Sequence, residues 1–226
     1  MFSIVVPLFN EEESIESLIY EIISSIEAYK SYEIVLVDDC SNDKTLEIIN
    51  KFEINPNIKI IKNKLNRGQS YSIHKGISMS MYNTIITIDG DGQNVPSDIP
   101  LLIKAFNENK NVYLVGGIRN NRKDSFIKVA SSKLANSIRS FILKDKCKDT
   151  GCSLKIFDKK IFLTFPYFNG IHRFLPALFL GFGYETKFIN VDHRKRKFGY
   201  SKYGIFNRLF VGISDIIKVK KILKNK

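Results

Sequence analysis

The sequence predicts an α/β fold, with a mostly parallel central sheet flanked by helices on both faces. Three observations predict it. Short β-branched runs alternate with amphipathic helical stretches through the first half of the chain. Those runs are apolar nearly throughout, as strands covered on both sides are. Several of them stop abruptly at carboxylates, at the edge where open α/β sheets bind ligands.

In order, Phe2 to Phe9 reads as a first buried strand. Asn10 is placed to cap a helix from about Glu11 to Ala28, with Glu11, Glu12 and Glu13 in a first turn that favours negative charge. Ile15, Leu18, Ile19, Ile22, Ile23 and Ile26 recur at helical spacing and mark its inner face. The second strand, Glu33 to Val37, ends in Asp38-Asp39, and a helix follows from Asp43 to about Phe52. Ile58 to Ile61 is the third strand. The turn Asn66-Arg67-Gly68-Gln69 then opens a helix from Ser70 to Met81. The fourth strand, Thr84 to Ile88, runs into Asp89-Gly90-Asp91-Gly92-Gln93. Pro96 and Ser97 start a helix reaching about Asn109, and Val112 to Val115 is a fifth strand closed by Gly116-Gly117. A helix from Ser125 to Leu143, a tight turn at Asp149-Thr150-Gly151-Cys152 and a strand from Ser153 to Phe157 come next. His172 to Pro176 opens another helix, Tyr184 to Val191 is the last strand, Asp192 to Lys202 is basic loop, and Tyr203 to Leu223 is the final helix.

At 226 residues with a 44% apolar fraction, the chain can bury one substantial core. Residues 1–202 form the expected main domain and 203–226 an appended basic amphipathic helix. Cys40, Cys147 and Cys152 make no even disulfide framework, which points to a reducing, cytoplasmic compartment. The start lacks a basic leader region, and no apolar run reaches 18 residues, so neither a signal peptide nor a membrane span is expected. The formal net charge is +12, yet residues 194–226 hold 11 Lys or Arg against Asp215 alone, and so contribute +10 of it. Charge this concentrated suggests a polyanionic surface, either nucleic acid or anionic lipid.

The first strand-to-helix turn, Pro7-Leu8-Phe9-Asn10-Glu11-Glu12, contains no glycine, and no GxxxxGK[ST] stretch occurs. A dinucleotide site and a P-loop both need glycines so that backbone can approach phosphate. Acid stands at the strand ends instead: Glu11 and Glu12, Asp38 and Asp39, Asp89 and Asp91. Carboxylates repel a bare diphosphate. They hold it through a hard divalent cation, or they accept hydrogen bonds from base and ribose. Any one of these acids could equally be a helix cap or turn residue, and the joint pattern is what favours a nucleotide bound with metal.

These stretches resemble the family 2 glycosyltransferases, and within them the polyprenyl-phosphate sugar transferases. The resemblance is carried by Val5 to Glu12, Val35 to Thr45, Asn66-Arg67-Gly68, Asp89 to Gln93, Asp149 to Cys152, His172 to Pro176 and Gly199 to Gly204, in that order. It implies a GT-A fold and a nucleotide sugar donor. It also implies that Pro7, Asn10, Glu11, Glu12, Asp38, Asp39, Asp89 and Gly90 border the nucleotide. Asp89, Asp91 and Gln93 would hold Mg²⁺ or Mn²⁺. Some relatives carry Leu-Gln-His-Pro after the second aspartate; here Gly92-Gln93-Asn94-Val95-Pro96 stands instead, one residue longer before the proline.

The expected reaction is inverting transfer of a hexose to a polyprenyl phosphate, with GDP-mannose or UDP-glucose as donor type. A phosphate acceptor is already ionised near neutral pH, so it needs cations to position it rather than a base. Arg119 and Arg196 are the expected catalytic cations, and Arg122, Arg139, Arg194 and Lys202 candidate clamps on the acceptor phosphate. Asp149 would serve as a base if the acceptor were a saccharide hydroxyl, the first alternative. His172 and Arg173 contact sugar or phosphate, or are structural. The last helix combines an apolar stripe with many lysines, which suits an anionic membrane surface met peripherally on the cytoplasmic side, with or without a membrane partner protein. A nucleic-acid-binding protein without enzymatic activity is the alternative of another class; RNA-binding signatures and a recognition-helix arrangement are absent, and no nucleic-acid partner is expected.

Overall fold

The computed structural model describes residues 1–120, 137–195 and 205–225, with the side chains of 205–211 excepted. Expectations for Arg122, Arg196 and Lys202 lie outside the described residues, as does helix over 125–136. The strands are β1 (Phe2–Leu8), β2 (Tyr32–Asp38), β3 (Ile58–Lys62), β4 (Thr84–Thr87), β5 (Val112–Arg119), β6 (Lys155–Asp158) and β7 (Glu185–Val191). The helices are α1 (Ile15–Ser25), α2 (Thr45–Asn50), α3 (Gln69–Met79), α4 (Ile99–Asn107), α5 over residues 137–143, α6 (Lys159–Thr164), α7 (Leu175–Gly181) and α8 (Ile205–Lys224).

All seven strands form one sheet in the order β3-β2-β1-β4-β6-β5-β7. β1 lies between β2 and β4, parallel to both, and all of its residues are buried. Its alternating side chains feed two cores. Ile4, Val6, Ile34 and Leu36 meet Ile15, Ile19 and Ile22 of α1 and Ile99 and Leu102 of α4. Val5, Val35 and Val37 meet Ile73 and Ile77 of α3 and, further along the same layer, Leu175, Leu178 and Phe179 of α7. This two-sided burial is why the strands read as unbroken apolar runs.

β6 runs antiparallel to both of its neighbours, β4 and β5. Its beginning therefore reaches the edge where the parallel strands end. β5 extends through Gly116 and Gly117 to Arg119, since the parallel β7 pairs with it along that whole stretch. α6 has no counterpart in the sequence reading; its first turn is fixed by the Asp158 carboxylate, which accepts from the Ile161 amide. α8 lies against α7, with Val219 fully buried and Leu223 over Gly181. Among the described residues no helix is long and apolar enough to cross a membrane.

Candidate active site

The site begins where β1 and β2 end. Helix α1 starts at Ile15, not at Glu11, and Asn10 is not its cap. Asn10 has φ +54°, a left-handed conformation, and its side chain is engaged elsewhere. Its amide donates to Ser41 Oγ (3.0 Å) and its Oδ1 accepts from the Asn42 amide (2.9 Å). The Glu11 amide donates to Thr45 Oγ1 (2.8 Å), and Glu12 Oε2 accepts from the Lys44 amide (2.9 Å). The two turns are thus laced into one rim. Pro7 faces Val37 beyond the last β4 partner of β1, so its missing N–H leaves no gap in that ladder.

Asp38 and Asp39, equivalent in the sequence, differ in the structure. Both Asp38 oxygens accept from the Ser41 amide at 3.3 Å. The Asp39 carboxylate accepts from Asn63 Nδ2 (2.7 Å) and from the amides of Arg67 (3.0 Å) and Gly68 (2.7 Å). It therefore fixes the loop that leads into α3.

At the end of β4, Asp89 Oδ1 accepts from Gln69 Nε2 (2.7 Å), and the Asp89 amide donates to Ser153 Oγ (3.2 Å). Asp91 Oδ1 accepts from the Gln93 amide (3.1 Å). Gly90 is small because of packing: a Cβ there would meet Leu8 Cδ2 at 2.4 Å and the Pro7 carbonyl at 3.2 Å. Gly90→Ala is expected to cost about 1–3 kcal/mol through overpacking, read as a lowered midpoint in urea; an unchanged midpoint would contradict that packing.

Burial, and then the charge of Asp91, push the Asp89 carboxyl up from 3.8 to about 6; the Ser153 hydrogen bond and the charges of Lys155 and Arg119 oppose the rise. Between those values the folded chain holds a proton that the unfolded chain releases. The contribution of Asp89 to stability therefore falls as pH rises through that window. A divalent cation competes with this proton. Mn²⁺ affinity is expected to weaken below about pH 6, by at most roughly tenfold per pH unit, in calorimetric titrations at pH 5, 6 and 7. Affinity independent of pH over this range would count against Asp89 as a ligand.

Across from these acids, Asp149 grips Arg119. Arg119 Nε and Nη2 donate to its two oxygens at 2.8 and 2.7 Å, and the Arg119 amide adds a third bond at 3.1 Å. Their side chains are only 13% and 7% exposed. Asp149 therefore holds the Arg119 side chain and backbone in place; the sequence reading had it available as a base. Lys155, which the sequence reading passed over, lies buried beside them, opposite Thr87 of β4 and Gly116 of β5. Its signal was a lysine interrupting the apolar run Leu154-Lys155-Ile156-Phe157.

His172 is hydrogen-bonded to α3. The Gly170 amide donates to Ser70 Oγ (2.7 Å), and the same hydroxyl is hydrogen-bonded to His172 Nδ1 (2.8 Å). Burial, then the charges of Arg173 and Lys155, lower its pKa to about 3, and the ring is neutral. Arg173 pairs with the buried Asp215 of α8 at 2.7 Å.

Of the expected phosphate clamps, Arg139 and Arg194 are described, and each pairs with a different carboxylate. Arg139 is buried and pairs with Asp145 (3.2 Å) and the Cys147 carbonyl, inside the fold rather than at an acceptor mouth. Arg194 pairs with Glu21 of α1 at 2.7 Å, and its amide donates to the Gln93 carbonyl. Gln93 Nε2 donates to the Arg194 carbonyl (3.3 Å), a contact made by its nitrogen only, whereas an amide ligates a metal through oxygen.

Two mutually repelling carboxylates with one amide oxygen fit a hard cation that keeps waters and takes further oxygens from a diphosphate. Among the described residues no cluster of three or more His, Cys, Asp or Glu side chains could cage a metal alone. Burial first, and then the charge of Asp91, hold the Asp89 carboxyl above its ordinary range.

The sheet order and the acidic strand end define a GT-A fold. Over 99% of this chain and 80% of the other, it matches glucosyl-3-phosphoglycerate synthase from Mycobacterium tuberculosis in complex with Mn²⁺, UDP-glucose and phosphoglyceric acid, with a TM-score of 0.71 at 14% identity. Mannosyl-3-phosphoglycerate synthase from Rubrobacter xylanophilus matches over 96% of this chain and 72% of its own, also with a TM-score of 0.71. Residues 3–165 match Glycosyl transferase family 2, and the chain belongs to that family. It is 35% identical to a dodecaprenyl-phosphate galacturonate synthase of Rhizobium johnstonii, over 99% of this chain and 68% of that protein. It is 34% identical to an undecaprenyl-phosphate 4-deoxy-4-formamido-L-arabinose transferase of Edwardsiella ictaluri, over 90% of this chain and 63% of the relative. The chain thus spans about two thirds of the length of these relatives. Family membership sets aside the non-enzymatic nucleic-acid-binding alternative.

Proposed function

We propose that the protein transfers a sugar from a nucleotide sugar to a polyprenyl phosphate, inverting the anomeric centre. The observation that carries this reading is the Arg119 guanidinium, held by Asp149 close enough to Asp89 for its charge to act on that carboxyl. An anionic acceptor needs a fixed cation there, and Asp149 is committed to supplying one. The names of the relatives support the same acceptor class.

In this reading the rim of Pro7, Asn10, Glu11, Glu12, Asp38 and Asp39 borders base and ribose, and Gly90 lets the strand end pack beneath it. Asp89, Asp91 and the Gln93 oxygen would hold Mg²⁺ or Mn²⁺, which would neutralise charge on the departing diphosphate. Arg119 orients the acceptor phosphate, whose ionised oxygen attacks from the face opposite the leaving group. Arg122, Arg196 and Lys202 are further candidates for the acceptor side, whereas Arg139 and Arg194 support neighbouring structure. The exposed Ile213 and Ile217 of α8, with Lys220, Lys221 and Lys224 nearby, suit peripheral contact with an anionic membrane surface.

The test is a panel of labelled nucleotide sugars with Mg²⁺ or Mn²⁺ and undecaprenyl phosphate in anionic vesicles. The panel includes UDP-glucose, GDP-mannose, a uronic acid donor and a 4-formamido pentose donor. A metal-dependent glycosylated lipid phosphate is expected. Turnover onto a saccharide, with none onto lipid phosphate, would overturn the proposed acceptor.

A further inference from the structure

We propose that Lys155 is a positioning residue that joins the two halves of the site, fixing the acceptor-side turn against the donor-side strand end and offsetting their carboxylates. Its ammonium donates to the Thr150 carbonyl (3.4 Å) and to the Cys152 carbonyl. Those carbonyls belong to the turn that carries Asp149, and Asp149 in turn carries Arg119. On the sheet, Lys155 faces Thr87, two residues before Asp89. Only the antiparallel direction of β6 brings the first residue of that strand to this edge.

The lysine is 3% exposed. Among the described residues no carboxylate lies within 4.0 Å of its ammonium, yet Asp89 and Asp149 both act on it electrostatically. Burying an ammonium without a contact ion pair is costly. A Met of similar length would fill the space without that cost, but it would leave two carbonyls unmet and two carboxylates, Asp89 and Asp149, with less compensating charge. Lys155 is thus placed to hold the turn and to offset part of the negative charge at the end of β4.

The inference uses the proposed function only in naming donor and acceptor sides, and one arm of its test needs no turnover. In the full chain, Lys155→Met and Lys155→Gln remove the charge, and Lys155→Arg keeps it. Mn²⁺ alone is titrated and followed by electron paramagnetic resonance, with cooperative thermal unfolding confirming that each variant is folded. Removing a nearby positive charge is expected to tighten Mn²⁺ binding about three- to tenfold in both neutral variants, with Lys155→Arg within about twofold of wild type. With whichever acceptor the wild type uses, Lys155→Met is expected to raise the acceptor KM about tenfold, since Arg119 loses its fixed support. A lysine that only braces the fold would lower the unfolding temperature and leave Mn²⁺ affinity unchanged, and that result overturns the proposal. If Lys155→Met does not fold, Lys155→Gln decides, because it can still donate to a carbonyl; unchanged Mn²⁺ affinity in that variant overturns the proposal equally. Tightened Mn²⁺ binding in a wild-type background that glycosylates no lipid phosphate would sustain this inference while removing the functional reading.

Discussion

Asp91→Asn is expected to abolish metal-dependent transfer while leaving the fold intact. The loss in kcat/KM should reach about 10³-fold or more, equivalent to roughly 4 kcal/mol of transition-state stabilisation. The fold survives because the Asp91 oxygen accepts from the Gln93 amide, a bond that an asparagine oxygen can also make. What goes is the second negative charge facing the cation. Asp91 also raises the Asp89 carboxyl, so removing its charge lets Asp89 fall back toward an ordinary value. The variant should therefore unfold at the same temperature as wild type, or slightly above it, at pH 7. Steady-state transfer assays and thermal unfolding at that pH check both halves. Wild-type turnover would remove Asp91 from the metal site.

Asp149→Asn carries the second large expectation. Asparagine can accept only one of the two guanidinium bonds that now fix Arg119, and its amide group would face the other donor. Acceptor KM should rise, and kcat/KM toward the acceptor should fall about 10²-fold, as a positioned cation is lost. Breaking a pair this well buried should also cost about 3–5 kcal/mol of stability, so unfolding is measured alongside. A general base would behave differently. Its removal would lower kcat, leave acceptor KM unchanged and erase the acid limb of the pH profile. That pattern would restore the saccharide-hydroxyl alternative.

Much of this architecture was legible from the chain. All seven strands were expected, because central strands with two buried faces form unbroken apolar runs that little else in the sequence imitates. The acidic end of β4 was legible for the same reason: the contrast between Ile88 and Asp89-Gly90-Asp91 is abrupt. Strand direction was not legible. Val112 to Val115 and Lys155 to Phe157 carry similar local signals, and only pairing across the sheet sets one parallel and the other antiparallel to β4's direction. The start of α1 was misplaced because Asn10 and the three glutamates make a plausible cap locally, whereas their actual partners lie 31 to 34 residues away in the next turn. Arginines were hard to sort for a related reason. Arg119, Arg139 and Arg194 look alike in sequence, and their roles depend on whether Asp149, Asp145 or Glu21 meets them.

The reversed strand β6 has a consequence for how the chain is assembled. β4 pairs with β1 on one side and with β6 on the other. As the protein leaves the ribosome, β1 to β4 can associate while β6 is still unmade, and β4 is then an open sheet edge of bare amides and carbonyls. About 70 residues separate the two partners in sequence, so closing that edge is a long-range event of the kind that slows folding. The donor half is complete in sequence well before it is safe from self-association. The strand that seals it is also the one that delivers Lys155, so the two halves of the catalytic edge are joined in the same step that ends this exposure.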